Sequence, residues 1–465
     1  GCKIRYVLIS SQYLVLWVPP TSMREGGSDG WPGVVHREGR TLTRVSMAPD
    51  SSRSGPVSRR GGGVFLNPAM SGSRTRSVLL LDYAMESGML GEGIVYALDG
   101  LAASGIRARR WLNELPSDKA ERLDVAISDM DEDSLSWAMR SHVEFPPVHG
   151  KGSLTSSLGD LRKVVLTHGR HWVDIDPFGS PLPFLDVSLQ SLARSGVIEV
   201  SATDTAALTG SSRGAMLRRY GSRVRTDGLA HDSALRVMMG NLARTAARHD
   251  RVIEPLLSIW DSHHLRVSSR VVRSRKEATL IEERLGWRVH SPTEGEVECS
   301  VESGLHPELS MDRLPMTCLL PLSFPVSRRD PRISGPLWIG SLGGRGAMCS
   351  MTEEKAMRMC VAEYEEGDIA GWSKRDFEME KRRVLRSVRN IESEGSVIDA
   401  AHHILVDDLS SWLGIGSPPS PTLMVNELRE LGHRASLAHY GKPSFRTDAS
   451  WDDIVEISLG HQPPM

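Results

Sequence analysis

Two carboxylates, Asp174 and Asp176, end an apolar run in VDIDPFGSPLPFLD (173–186), and Pro177, Phe178 and Gly179 follow them at once. A carboxylate can accept an N–H bond from a conjugated exocyclic amine such as guanine N2. That amine is a poor nucleophile because its lone pair is delocalised, and the carboxylate can take its proton as a new bond forms. Pro177 fixes the backbone so that nearby carbonyls can face the same amine, and Phe178 offers a face on which a flipped base can stack. The same residues also suit a strand-terminating turn with Phe178 in the core. Motif alone leaves both readings open, with Asp176 as the candidate base. Asp174 is expected to point to the other face of its strand and to matter less.

Two further acids fall at comparable places. GIVYALDG (93–100) is an apolar strand ending in Asp99, and LDVAISDMD (123–131) carries Asp129 at the end of the next. In an open parallel sheet, ligands sit beyond the carboxyl ends of the strands. The loop DGLAASG (99–105) is small enough for close backbone approach, and Asp129 follows Asp99 by one βαβ unit, where a carboxylate can accept both hydroxyls of a ribose. Each acid taken singly is better explained as a strand-end Asp capping the next helix; their conjunction favours a nucleoside cofactor. GLAASG does not meet the Gly-x-Gly-x-x-Gly fingerprint that brings a helix N-terminus to a pyrophosphate. S-adenosylmethionine has no phosphates, and its carboxylate tail would welcome Arg107.

The elements that must position these groups alternate. Strand and helix patterns succeed one another from SVLLLDYA (77–84) to VIEVSATDT (197–205), which predicts an α/β fold with a doubly wound, Rossmann-like parallel sheet. The pattern changes after about residue 260, where strand pieces, long helices and a helix–strand–turn–strand–helix ending predict a C-terminal α+β domain. Residues 1–35 form an N-terminal fringe, 36–260 the cofactor-binding catalytic domain and 261–465 the second domain. Met23 lies just beyond the apolar segment 6–20, so residues 1–22 are expected to be a mis-set start or a fringe. SSRSGPVSRRGGG (51–63) is expected to be a mobile basic loop.

Composition narrows the classes. The 465 residues carry 25% charged side chains and a formal net charge of −2, so nucleic-acid binding must rest on local patches. SSRGAMLRRYGSRVR (211–225) is such a patch: Arg213, Arg218, Arg219, Arg223 and Arg225 stand with no acid among them. Most charge runs are solvated faces, but arginines beside a base-binding site favour phosphate contact. RVSSRVVRSRK (266–276) is similar, and KRDFEMEKRRVLRSVRN (374–390) reads as an exposed helix of mixed sign. The five cysteines include no Cys-x-x-Cys pair, which argues against a zinc ribbon and suits a reducing cytosol. No run reaches the roughly 18–20 apolar residues of a membrane span.

With these pieces in order, the chain resembles the tRNA (guanine-N2)-dimethyltransferases acting on guanosine 26, in their archaeal form. The matching pieces are FLNPAMSGSRTRSV (65–78), LDGLAASGIRARRW (98–111), ISDMDED (127–133), VDIDPFGSPLPFLD, SATDTAALTG (201–210), MLRRYGS (216–222), GPLWIGSLGG (335–344) and LRELGHRASLAHYGKPSFRTDA (428–449). They keep the family's order from about His36 onward. The resemblance implies a class I methyltransferase sheet, S-adenosylmethionine as cofactor, tRNA as partner and a C-terminal domain that holds the tRNA body. It implies that Phe65 and Phe178, with Pro177, hold the target guanine and that Asp176 is the general base. Arg74, Arg107 and Asp129 would contact S-adenosylmethionine, as would Asp99, and Asp160 in SLGDLRK would lie near the adenine. Gly100 and Leu161 stand where the family usually has Ala. The cysteine cluster of the eukaryotic relatives is absent, so no metal is implied, and neither is an obligate protein partner.

Two other classes compete. A nicotinamide-dependent oxidoreductase on the same sheet is disfavoured by the missing third glycine. A non-catalytic RNA-binding protein that has kept the fold is disfavoured by intact Asp176 and Phe178. A methyltransferase working on another amine is the nearer alternative, and the C-terminal pieces from Gly335 to Ala449 discriminate against it.

Overall fold

The computed structural model describes residues 8–9, 12–13, 33–46, 64–148, 152–327 and 329–460. The expected basic loop at 51–63 and most of the N-terminal fringe lie outside these residues. A hairpin of β1 (Val34–Glu38) and β2 (Thr41–Val45) opens the catalytic half, so it begins within the stretch assigned to the fringe.

The centre is a seven-stranded sheet of β3 (Val95–Asp99), β4 (Leu123–Asp129), β5 (Ser153–Leu158), β6 (Arg170–Ile175), β7 (Leu192–Ala202), β8 (Arg251–Asp261) and β9 (His264–Arg273). Its order is β8-β9-β7-β6-β3-β4-β5. The five strands from β7 to β5 run parallel, and the β8–β9 hairpin adds antiparallel strands beside β7. The sheet therefore continues past residue 260, and the boundary expected there falls inside the β8–β9 hairpin.

Both faces are covered, which is why the inner strands read as apolar runs. Successive residues alternate between two cores. Leu98, Val173 and Ile198 join one core with α4 (Leu182–Ser191) and α6 (Ala230–Ala247). Ala97, Trp172 and Val197 join the other with α1 (Ser71–Glu86), α2 (Ile106–Glu114) and α3 (Glu132–Glu144). α5 (Arg213–Tyr220) carries the first of the basic stretches.

The second core also takes in residues far along the chain. Met348, Met359, Val384 and Ile391 pack into it from α8 (Arg345–Cys349), α9 (Glu353–Cys360), α10 (Lys374–Val388) and α11 (Ile391–Gly395). α10, expected as an exposed helix, buries Phe377, Glu380, Val384 and Val388 along one face. A third core joins two small antiparallel sheets. One has β10 (Leu285–His290) between β11 (Thr317–Pro321) and β12 (Ile333–Trp338); the other has β15 (Ser444–Thr447) between β13 (His402–Leu405) and β14 (Ala435–Leu437). Among the described residues, no helix is long and apolar enough to cross a membrane.

Candidate active site

Asp99 and Asp129 close β3 and β4, and Asp176 follows β6 by one residue, so all three stand at the ligand-binding end of the parallel strands. The loop between β3 and α2 is pinned there by backbone bonds. Gly100 N donates to Asp174 O at 3.0 Å and Ala102 N to Ser128 O at 3.0 Å. Asp129 Oδ2 accepts Ala103 N at 2.9 Å, and its Oδ1 accepts Asp131 N at 3.0 Å. Asp129 thus organises the loop, and each oxygen keeps a second lone pair for a ligand. Asp99 is buried, its Oδ2 accepting Ala108 N at 3.3 Å, and burial pushes its carboxyl up to about 6. It acts as a cap inside the fold.

Gly100 and Leu161 lie against each other. A Cβ on residue 100 would come within 2.8 Å of both Asp174 O and Leu161 Cδ1. The larger side chain at 161 occupies the space that a larger residue at 100 would need. Asp160, next to Leu161, caps the short helix Leu161–Val164 by accepting Arg162 N at 2.9 Å, and its carboxylate pairs with the exposed Arg162. It stands at the same end of the sheet, just after β5.

The DPFG segment is a turn and more than a turn. Gly179 has φ +84°, which favours glycine. Its N–H donates to Thr203 Oγ1 at 2.7 Å, and its carbonyl accepts Thr203 N at 3.0 Å, so the turn is fastened to the end of β7. Pro177 is buried, whereas Phe178 is 64% exposed, so the ring is held outside the core by a rigid frame. Its partner is Phe65, whose ring centroid lies 5.0 Å away at an interplanar angle of 75°. Phe65 belongs to the segment leading into α1. Arg74 fastens that segment, donating from Nη2 to Asn67 O at 2.9 Å and from Nε to Glu38 Oε1 at 2.6 Å. Arg74, expected at the cofactor, is therefore engaged in joining α1 to the β1–β2 hairpin.

Asp176 is held by Arg107, whose Nη2 donates to Asp176 Oδ2 at 2.5 Å. Burial would raise the Asp176 carboxyl, but Arg107 and then Arg266 outweigh it and hold the group below the usual carboxylate range. Asp176 is thus an ionised carboxylate, ready to receive a proton. Asp174 departs from expectation. Residues two apart along a strand share a face, and Asp174 is fully buried beside the same arginine, 3.5 Å from Arg107 Nε, and paired with Arg266. Burial pushes its carboxyl up to about 7.

Arg266 is the residue that sequence reading placed wrongly, as part of a basic stretch. It is buried on β9 and reaches Asp174, Glu199 Oε2 at 2.7 Å and Ser201 Oγ at 2.7 Å. The available signal was Glu199, an acid inside the apolar strand VIEVSA, which calls for a buried cation. His264, at the start of β9, was also missed. It is 1% exposed, neither ring nitrogen has a hydrogen-bond partner, and burial lowers it to about 4.

Of the basic patch, Arg213, Arg218, Arg219 and Arg223 are exposed on α5 and the turn after it. Arg219 also pairs with Asp204 at 3.0 Å, and Arg225 with Asp227 at 3.3 Å.

The model of the family described as N2,N2-dimethylguanosine tRNA methyltransferase matches residues 45–458. A tRNA (guanine(26)-N(2))-dimethyltransferase of Thermococcus kodakarensis is 28% identical over 85% of this chain and 92% of its own. One of Methanosphaerula palustris is 29% identical over 90% and 96%. Among solved structures, the complex of Trm1 from Pyrococcus horikoshii with S-adenosyl-L-methionine superposes with a TM-score of 0.69 at 23% identity, covering 91% of this chain and 99% of that one. That likeness shows the fold.

Proposed function

The chain belongs to the N2,N2-dimethylguanosine tRNA methyltransferase family, and from that premise we propose that it transfers methyl groups from S-adenosylmethionine to N2 of guanosine 26 in tRNA. The observation that carries the proposal is the Asp176 carboxylate, held by Arg107, on the pinned turn that also presents Phe178, whose ring pairs with that of Phe65.

The cofactor suits the residues present. Arg107 Nη1 is a buried donor without a hydrogen-bond partner, which fits a carboxylate tail while Nη2 keeps hold of Asp176. Asp129 fits a ribose, beside a loop of small residues. Asp99 and Arg74 support this site from within the fold, and Asp160 stands where it could border the adenine. When bound, S-adenosylmethionine supplies an electrophilic methyl on a sulfonium.

The exposed ring of Phe178, braced by Phe65, offers the extruded guanine a stacking face. Asp176 accepts an N–H bond from its N2. As the N–C bond forms and the S–C bond breaks, N2 becomes cationic and its proton grows strongly acidic. A carboxylate with a depressed pKa is then basic enough to take it, and the same pKa keeps it unprotonated before the step. Repetition on the remaining N–H gives the dimethyl product. Arg213, Arg218, Arg219 and Arg223 contact tRNA phosphates, and the part of the chain from β10 onward helps to hold the tRNA body. The four described cysteines are free thiols, in keeping with a reducing cytoplasm.

The test is nucleoside mass spectrometry of unmodified tRNA incubated with the protein and labelled cofactor. N2,N2-dimethylguanosine mapping to position 26 is expected. Label on a different nucleoside, or none in tRNA that the protein binds, overturns the assignment.

A further inference from the structure

A second concentration of ligand-type side chains lies in the C-terminal half. His306 and Glu308 sit on the loop between α7 (Glu294–Glu302) and β11, and His402 opens β13. The two imidazoles are 3% and 4% exposed. One donor atom from each of the three residues lies within 4.8 Å of the other two. His306 Nδ1 is 2.9 Å from Glu308 Oε1, and His402 Nε2 is 3.0 Å from the same oxygen.

The two contacts differ in kind. The first is a hydrogen bond, whereas His402 Nε2 lacks hydrogen-bond geometry to any partner. One carboxylate oxygen thus serves both imidazoles, His306 through a formed hydrogen bond and His402 through a close contact that falls short of hydrogen-bond geometry. Beside it is a cavity of about 30 Å3, lined by His306, His402, Cys318, Leu319, Ala401 and Trp451. That space holds about one water-sized particle. Arg236 and Arg288 also border it, but each is already paired, with Asp232 at 2.7 Å and with Asp227 at 3.0 Å.

We propose that His306, Glu308 and His402 form a binding site for a divalent metal of the zinc type, with its fourth ligand drawn from the adjoining cavity. Two imidazole nitrogens and a carboxylate oxygen are a donor set that zinc favours. Ligands at about 2.0–2.1 Å in a tetrahedron stand roughly 3.3–3.4 Å apart. The observed 2.9 and 3.0 Å separations need to open by only a few tenths of an ångström. Metal entry replaces the His306–Glu308 hydrogen bond with two metal–ligand bonds and satisfies His402 Nε2. The site is a clamp: it ties the loop before β11 to the first residue of β13, and so one small sheet to the other. Cysteine spacing gives no hint of it, because its histidines are far apart in sequence.

The full chain, stripped with a chelator and passed through a desalting column, is titrated with Zn2+ alone. Bound metal is measured by mass spectrometry, and thermal unfolding is followed with and without zinc. One equivalent per chain and a higher Tm with zinc are expected. In Glu308→Gln and His402→Gln, affinity for that equivalent should fall by more than the roughly 10–100-fold that loss of an outer partner produces. The zinc-dependent rise in Tm should vanish. A wild type that takes up no zinc overturns the proposal, whether or not the variants fold. So does a variant, folded by circular dichroism, that keeps the wild-type stoichiometry and affinity.

Discussion

Two clusters of buried charge can be set side by side. One gathers Arg107, Asp174, Glu199 and Arg266 behind Asp176 at the end of the parallel strands. The other joins α6 to the C-terminal strands through Asp232, Glu394 and Arg446. Asp232 accepts Arg236 Nε at 2.7 Å, Tyr440 OH at 2.9 Å and His403 Nδ1 at 3.1 Å. Glu394 accepts Arg446 Nε at 2.5 Å and His439 Nδ1 at 2.6 Å. None of these side chains has a buried polar atom left unpartnered. In the first cluster Asp174 Oδ1, Arg107 Nη1 and both nitrogens of nearby His264 lack hydrogen-bond partners. A closed network is a fastening; a network with spare valences facing a ligand-binding end is a receptor.

The sharpest way to break this contrast is Asp176→Asn. Asn still accepts a hydrogen bond but cannot take the amine proton, so single-turnover methylation should fall by at least about a hundredfold while tRNA and cofactor binding persist. A rate near wild type would strip the first cluster of its chemistry. Arg446→Met should do the reverse. It leaves Glu394 and Asp232 buried beside an apolar side chain, which typically destabilises by about 3–5 kcal/mol. Urea unfolding should register that loss, while methylation below the unfolding transition stays within about twofold of wild type.

Acid should separate the clusters by sign. Glu394 is buried, but His439 and Arg446 hold it at about 2 against an ordinary 4.5. Its contribution is therefore complete above about 4.5 and is lost as pH falls towards 2. Asp174 runs the other way: with its carboxyl raised from 3.8 to about 7, its contribution is complete below 3.8 and is lost as pH rises through 7. Unfolding free energy measured against pH should show a shallower acid limb in Glu394→Gln and a shallower decline towards neutrality in Asp174→Asn. Identical profiles in the two variants would erase the distinction. The smallest effect is outside both clusters. Arg218→Ala with Arg219→Ala should flatten the log–log salt dependence of tRNA binding by up to about two, one phosphate contact each. An unchanged slope would make α5 a solvated face.

The parallel sheet was legible because its strands are buried on both faces and end in acids. DPFG was legible because Pro, Phe and Gly each restrict what a turn can present. Arg266 was not, because an arginine beside serines on β9 has the composition of a surface stripe; only its partners on β6 and β7 make it a core residue. Arg74 was half legible: the family resemblance points to it, but the sequence cannot show that Glu38 already occupies it. Asp174 was misplaced by treating the strand's last residues as if neighbours two apart faced opposite ways. The layer from α8 to α11 was illegible as part of the catalytic half, since nothing local tells which core an amphipathic helix will join.

That layer has a consequence for the making of the protein. α1 and α2 are synthesised early, yet part of the apolar surface they bury is covered by Met348, Met359, Val384 and Ile391. As the chain leaves the ribosome, the sheet can pair and its ends can form, but one flank stays greasy until the ribosome has passed the helices beyond residue 345. Such late closure slows folding and leaves the nascent chain dependent on chaperones for longer than a simple N-terminal domain would be. A nonsense codon near 345 would yield a polypeptide holding every candidate catalytic residue and lacking the cover for its own core.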